Sequence, residues 1–334
     1  MEQRQLGRAG PRVAALGLGT MGMSGMYGPA DREESLATIH AALEAGITLL
    51  DTGDFYGMGH NEMLIAEALA GGKRDQVLLS VKFGALRGPA GEWLGYDARP
   101  AAVRSFLAYS LQRLRTDHID IYRPARLDPN VPIEDTIGAM ADMIKAGWIG
   151  HIGLSEVGSE TIRRAHAVHP IVDLQIEYSL VSRGIERDIL KTARELGIGI
   201  TAYGVLSRGL ISGHWSKDRA NDKDFRRMSP RFQAENLDAN LALANALRGI
   251  AERIGATPAQ VAIAWVAAQG ADIVPLVGAR RRERLAEALG ALKVQLTPKH
   301  LATLAKAFPP GVAAGGRYPQ AQLAHLDSER PLAH

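Results

Sequence analysis

Eight short apolar, β-branched runs recur along the chain, each followed by a longer segment whose apolar residues return at helical spacing. The runs are Val13–Leu18, Thr48–Leu50, Val77–Val81, Ile119–Tyr122, Ile149–Leu154, Val172–Ile176, Gly197–Ala202 and Asp272–Val277. The helical segments span 31–45, 60–70, 100–114, 133–146, 159–168, 185–196, 258–269 and 280–290. In the third, Leu107, Leu111 and Leu114 mark one face. Asp31, Ser159, and Thr257 with Pro258 supply caps or an early proline at helix starts. Eight such units predict an α/β fold, a closed (β/α)₈ TIM barrel; a doubly wound open sheet uses the same units and is the competing topology.

Three segments fall outside the repeat. Residues 3–12 read as an N-terminal β-hairpin turning at Gly7–Gly10 and capping the barrel bottom. Residues 207–240 form a long polar insertion after strand seven, and 309–334 a Gly/Pro-rich tail. Loops after the strands build the site in barrel enzymes, so insertion and tail are active-site loop or lid candidates; the alternative for 309–334 is a disordered tail. With no independent linker, residues 1–334 are expected to form one domain.

The 334 residues exceed an average domain, but α/β barrels of 250 or more residues are single units. A 46% hydrophobic fraction supplies a large core. The net charge of +3 and the short run Arg280–Arg282 give no nucleic-acid signature. The absence of cysteine excludes disulfides, thiolate metal sites and Cys nucleophiles. No apolar run suits a signal core or a membrane span, so a cytoplasmic location is expected.

Gly17-Leu18-Gly19-Thr20-Met21-Gly22 satisfies the G-x-G-x-x-G pattern of dinucleotide-binding folds. That motif needs a helix starting inside the glycine turn, whereas here Gly25, Gly28 and Pro29 delay the helix to about Asp31. No tyrosine has lysine four residues later, which removes the Tyr-x-x-x-Lys alternative. Both Rossmann readings are rejected.

The chemistry gathers elsewhere. Asp51-Thr52-Gly53-Asp54-Phe55-Tyr56-Gly57 follows strand two, Asn61-Glu62 comes next, and Lys82 ends strand three. In a barrel these ends share one rim. A free tyrosine titrates near about 10, and a neighbouring ammonium is expected to lower that value. A carboxylate beside the lysine keeps it charged and oriented. The trio then delivers a proton to a carbonyl oxygen while hydride reaches the carbon. The competing reading of Asp51 and Lys82 is a structural ion pair.

With these residues the chain resembles the aldo-keto reductases over nearly its whole length. The resemblance also rests on Ser110–Leu114, Gly153-Leu154-Ser155-Glu156, Leu174–Ser179, Pro230-Arg231-Phe232 and Val274–Gly278. It implies Tyr56, Lys82 and Asp51 as catalytic residues and NADPH as the cofactor, without a metal. It also implies a histidine after strand four, but that position is Ala125, within Tyr122-Arg123-Pro124-Ala125-Arg126. His118 precedes the strand and belongs at its far end. A water or Arg126 is left to fill the gap. His166-x-x-His169 lacks nearby metal ligands.

The resemblance further implies that Ser155 and Gln175 hold the nicotinamide amide and that Tyr203 stacks on its face, with core packing the alternative for Tyr203. Leu206, Arg208 and Gly209 are then expected at the pyrophosphate, where a guanidinium and a close backbone suit the charge. Gly278 ends strand eight beside the cofactor. Arg280 and Arg284, at i,i+4 spacing, fit a 2′-phosphate at a helix N-terminus, and Glu287 completes that stretch. A solvated charged face with Arg284 paired to Glu287 is the alternative. Met21, Met26, Tyr27, Phe55, Trp93, Trp215 and Ala125 are expected along the substrate pocket.

The sequence therefore predicts NADPH-dependent reduction of an aldehyde or ketone, reversible in principle. The rivals are a cofactor-binding regulatory or interaction subunit on the same barrel, which Ala125 favours, and an unrelated phosphate-binding barrel enzyme. The expected partner is a small carbonyl substrate, with no nucleic acid and no membrane.

Overall fold

The computed structural model describes residues 1–215, 225–323 and 325–330. Residues 216–224 of the insertion, and 324 and 331–334 of the tail, lie outside the described residues. Eight parallel strands close into a barrel in sequence order: β1 (Gly17–Gly19), β2 (Leu49–Gly53), β3 (Leu78–Phe83), β4 (Ile119–Pro124), β5 (Ile149–Ser155), β6 (Ile171–Glu177), β7 (Gly199–Tyr203) and β8 (Ile273–Gly278). Every residue of β2 and of β6 is buried, because these strands face the barrel interior on one side and helices on the other. That double burial also encloses their polar residues, Asp51, Thr52, Asp173, Gln175 and Glu177.

Around the strands run α1 (Arg32–Glu44), α2 (His60–Ala68), α3 (Pro100–Leu114), α4 (Ile133–Lys145), α5 (Ser159–Val168), α6 (Ile189–Leu196), α7 (Ala234–Ile254), α8 (Pro258–Ala267), α9 (Arg282–Gly290) and α10 (Pro298–Ala307). Asp31 caps α1 by accepting from the Glu34 amide at 2.7 Å, and Thr257 with Gln260 forms a capping box on α8. Ser159 is not a cap. Gly158 holds that position, and the Ser159 hydroxyl reaches Asp188 at 2.5 Å.

Three expectations change. Val13 pairs in the bottom hairpin, Gln3–Gln5 against Arg12–Ala14, and β1 starts only at Gly17. Helix α9 starts at Arg282, so Arg280 lies before it and no helix face joins Arg280 to Arg284. The stretch from 234 to 254 is the longest helix among the described residues, not insertion; it buries Leu237, Asn240, Ala244, Leu247, Ile250 and Ala251 on one stripe. A hairpin, Ala85–Arg87 against Trp93–Tyr96, rises after β3. The described part of the tail packs on the barrel, with Leu326, Asp327 and Ser328 buried.

Register decides what meets at the rim. Asp51 pairs with Ser80, Gly53 with Lys82, Lys82 with Arg123, and Gln175 with Ser155. Beneath the rim a fully buried ion pair crosses the interior, Arg123 Nη1 to Asp173 Oδ2 at 3.0 Å. Ser80 accepts from Arg123 at 2.9 Å and Thr201 donates to Asp173 at 2.6 Å. Gly153 makes the room: a Cβ there would stand 2.5 Å from Asp173 Oδ1 and 3.1 Å from Arg123 Cζ.

Candidate active site

The ends of β2 and β3 bring together the first predicted cluster. Lys82 Nζ donates to Asp51 Oδ1 at 2.5 Å, and the other carboxylate oxygen accepts from Ser80 at 2.7 Å and from Gln175 Nε2 at 2.6 Å. Asp51 is thereby fixed by three donors from β3 and β6. Lys82 Nζ lies 5.1 Å from the centre of the Tyr56 ring, within cation–π range. Phe55 packs edge-on against Tyr56 at 4.8 Å and against Trp93 at 5.7 Å. Asn61 fastens the neighbouring loop by donating to the Thr20 carbonyl at 2.9 Å and to Ser24 Oγ at 2.8 Å.

The electrostatics reverse one expectation. Burial pushes the Tyr56 phenol well above its ordinary value, the Asp51 charge adds to the rise, and Arg126 opposes it. Burial pulls the Lys82 ammonium down while Asp51 pulls it back up. Tyr56 is thus held as a neutral phenol, able to donate a proton.

Behind this cluster Asp54 is pushed up to about 7, first by burial and then by Glu62, with Arg113 opposing. The Phe55 and Gly84 amides also oppose the rise, though neither meets hydrogen-bond geometry, and both Asp54 oxygens are left without a partner. Arg113 Nε holds Glu62 at 2.5 Å.

The ends of β5 and β7 carry a hub that the sequence leaves unassigned. Glu156 has φ +54°, a left-handed conformation costly for a residue with a side chain, and its carboxylate is buried. It accepts from Arg317 at 2.5 and 2.9 Å, from Ser328 at 2.7 Å, from Tyr203 OH at 2.8 Å and from the Glu177 amide at 3.0 Å. Burial alone would raise this carboxyl; Arg317 overrides it and holds the value near about 2. Arg317 and Ser328 belong to the tail, so Glu156 ties the tail to the rim. The adjacent Tyr318 hydroxyl meets Tyr203 OH at 3.0 Å, and Arg208 lies over the Tyr318 ring at 4.4 Å. The sequence signal for this hub is slight: Glu156 closes the Gly153-Leu154-Ser155-Glu156 stretch, and nothing local points to Arg317.

The expected cofactor residues are distributed as follows. Ser155 is buried beside Gln175 on adjacent strand ends. Leu206 precedes three consecutive left-handed residues, Ser207 (φ +48°), Arg208 (φ +57°) and Gly209 (φ +92°). Gly278 pairs with Gly19 at the end of β8. Arg280 donates to the carbonyls of Tyr27 and Gly28 at 3.2 and 3.1 Å. Arg284 meets Glu287 at 3.3 Å and His214 Nε2 at 2.7 Å, so the Arg284–Glu287 pair is present. Of the pocket candidates, Met21 and Tyr27 are half-buried and Trp93 is exposed, while Trp215 packs against Phe232 at 5.2 Å. Ala125 is buried at the end of β4. His118 lies before β4, at the opposite end of the barrel from Tyr56.

The model of the aldo/keto reductase family matches residues 15–308. The chain belongs to the aldo-keto reductase family. It is 42% identical over 316 residues to "Probable aldo-keto reductase 1" of Glycine max, covering 94% of this chain and 91% of that protein. Among solved structures it is similar to a glycerol dehydrogenase from Gluconobacter oxydans, with TM-score 0.82 and 28% identity over 99% of this chain and 97% of that one. It is also similar to a thermostable aldo-keto reductase crystallised with the inhibitor epalrestat, with TM-score 0.74 and 28% identity over 92% and 100%. The aldo-keto reductase is accordingly an oxidoreductase acting between carbonyl and alcohol. Among the described residues no helix is long and apolar enough to cross a membrane, and no three His, Asp or Glu side chains are grouped to hold a metal.

Proposed function

We propose that residues 1–334 act as one barrel unit that reduces an aldehyde or ketone with NADPH, Tyr56 serving as general acid. One observation carries this reading. Tyr56 is a buried neutral phenol beside an ammonium that is itself fixed by Asp51. A positioned acid of this kind contributes about 10²–10⁴-fold to a proton-coupled step. Asp51, held by Ser80 and Gln175, keeps Lys82 charged and in place. The Tyr56 proton goes to the carbonyl oxygen, and the phenol recovers it from solvent.

The donor set suits a nicotinamide dinucleotide phosphate. Ser155 and Gln175 present a hydroxyl and an amide side by side, suited to a carboxamide. The left-handed turn at 207–209 brings backbone and Arg208 together, suited to a pyrophosphate. Arg280 and Arg284 supply guanidinium groups for a 2′-phosphate, with Glu287 and His214 orienting Arg284. NADPH, when bound, supplies the hydride. Tyr203 and Tyr318 would have to adjust around it, since their hydroxyls are joined.

Ala125 favours the rival reading, a binding subunit with little turnover, because it offers no second donor to the carbonyl oxygen. Single-turnover oxidation of NADPH by a panel of small carbonyls separates the two. Wild type is expected to oxidise bound NADPH, and Tyr56→Phe to keep NADPH affinity while losing at least about 10²-fold in the rate. Near wild-type turnover in that variant would remove Tyr56 from the reaction.

A further inference from the structure

Three cations at the barrel mouth meet carboxylates. Lys82 meets Asp51, Arg317 meets Glu156 at 2.5 Å, and Arg231 meets Glu177 at 3.4 Å. Arg126 differs, because its hydrogen bonds among the described residues go to neutral oxygens. Its Nη1 donates to the Ala125 carbonyl at 2.6 Å and to Ser155 Oγ at 3.5 Å, and its Nη2 to Tyr318 OH at 3.4 Å. Two of these three bonds are at the outer limit of hydrogen-bond length. The carboxylate that acts on Arg126 through space, Glu156, is already filled by Arg317, Ser328, Tyr203 and the Glu177 amide.

Arg126 also stands at the rim beside Ser155. It follows Ala125 directly, and its charge acts on both Tyr56 and Lys82. Tyr96, Tyr203 and Tyr318 surround it electrostatically. Burial works against this guanidinium, and its surroundings, Glu156 among them, offset it, so the charge stands without a hydrogen-bonded carboxylate and an arriving one supplies that partner. The guanidinium fork matches a carboxylate with two short, charge-assisted bonds.

Resting on the reductase reading above, we infer that Arg126 is a carboxylate receptor in the substrate pocket, and that the favoured substrates are small aldehydes or ketones bearing a carboxylate. The carbonyl carbon receives the hydride from NADPH and the carbonyl oxygen receives the Tyr56 proton. The products are the hydroxy acid and NADP⁺, the carboxylate being unchanged. Arg126 thereby orients the carbonyl from the far end of the substrate, a task distinct from donating to the carbonyl oxygen, which Ala125 cannot do.

The test uses the full chain with NADPH. The substrates are aldehyde acids of three lengths, with two, four and eight carbons (glyoxylate, 4-oxobutanoate and 4-carboxybenzaldehyde), each beside its neutral methyl ester. For at least one length, kcat/KM is expected to favour the acid over its ester by about 30-fold or more, chiefly through KM. In Arg126→Gln that ratio should fall to within about threefold of one. In Arg126→Ala, added guanidinium salt at non-denaturing concentration should partly restore turnover of the acid and not of the ester. Thermal melting and an NADPH fluorescence titration show whether each variant is folded and loaded. A variant that fails to fold leaves the wild-type ratio as the deciding measurement. Reduction of the esters with no acid preference at any length would overturn the receptor and leave the reductase standing. Loss of NADPH affinity in Arg126→Gln with an unchanged acid-to-ester ratio would assign Arg126 to the cofactor. Failure of wild type to oxidise NADPH with any of the six would overturn the reductase reading itself.

Discussion

Asp54→Asn should stabilise the protein, and more at pH 8 than at pH 5. The carboxyl is buried, both its oxygens lack partners, and Glu62 adds a second negative charge nearby. Its proton affinity rises from 3.8 to about 7 on folding. A folded-state value above the unfolded one means that the native state binds the proton more tightly. Stability from this group is therefore fully present below 3.8, declines as pH rises, and is lost above about 7. At about 1.36 kcal/mol per tenfold change in proton affinity, most of the loss between pH 5 and pH 8 falls before neutrality and amounts to roughly 2–3 kcal/mol. Asparagine keeps the shape and removes the titration. The assay is chemical denaturation of wild type and variant at both pH values, comparing the difference between the two proteins so that titrating groups other than the coupled Glu62 cancel. The variant's advantage should grow by roughly 2–3 kcal/mol from pH 5 to pH 8. An advantage that stays constant within about 0.5 kcal/mol would show that Asp54 is not held protonated by its surroundings, and the account of a buried, unpartnered carboxyl behind Tyr56 would fail.

Other substitutions probe the remaining parts. Arg280→Ala with Arg284→Ala should weaken NADPH far more than NADH, by roughly 1.5–3 kcal/mol for each guanidinium removed; equal weakening in fluorescence titrations would place the 2′-phosphate elsewhere. Gly153→Ala should destabilise by about 3–5 kcal/mol, since its methyl group enters the Arg123–Asp173 pair; an unchanged denaturation midpoint would mean the barrel interior yields easily. Ala125→His should raise kcat for a small unhindered aldehyde and narrow the substrate range, because an added donor acts on developing oxygen charge; unchanged kinetics on both a small and a bulky carbonyl would show that residue 125 does not face the reacting oxygen.

The sequence by itself determined the strand–helix order and much of the Asp51, Tyr56 and Lys82 cluster. Periodicity needs only neighbours along the chain, and a strand buried on both faces shows as an apolar run, as Ile273–Val277 of β8 does. Once the barrel is closed, consecutive strand ends must share a rim, so Asp51 and Lys82 were bound to meet. Helix α7 escaped because its polar face dominates its N-terminal part, and only packing shows that Leu237, Asn240 and Ala244 form its buried stripe. The tertiary structure alone set the upward shift of the Tyr56 phenol, because burial is a property of the whole fold. It alone paired Arg123 with Asp173 at a separation of 50 residues, Glu156 with Arg317 at 161, and set Arg126 against neutral oxygens. Which charges find partners depends on register and chain closure over such distances, and no local pattern in the sequence carries that information.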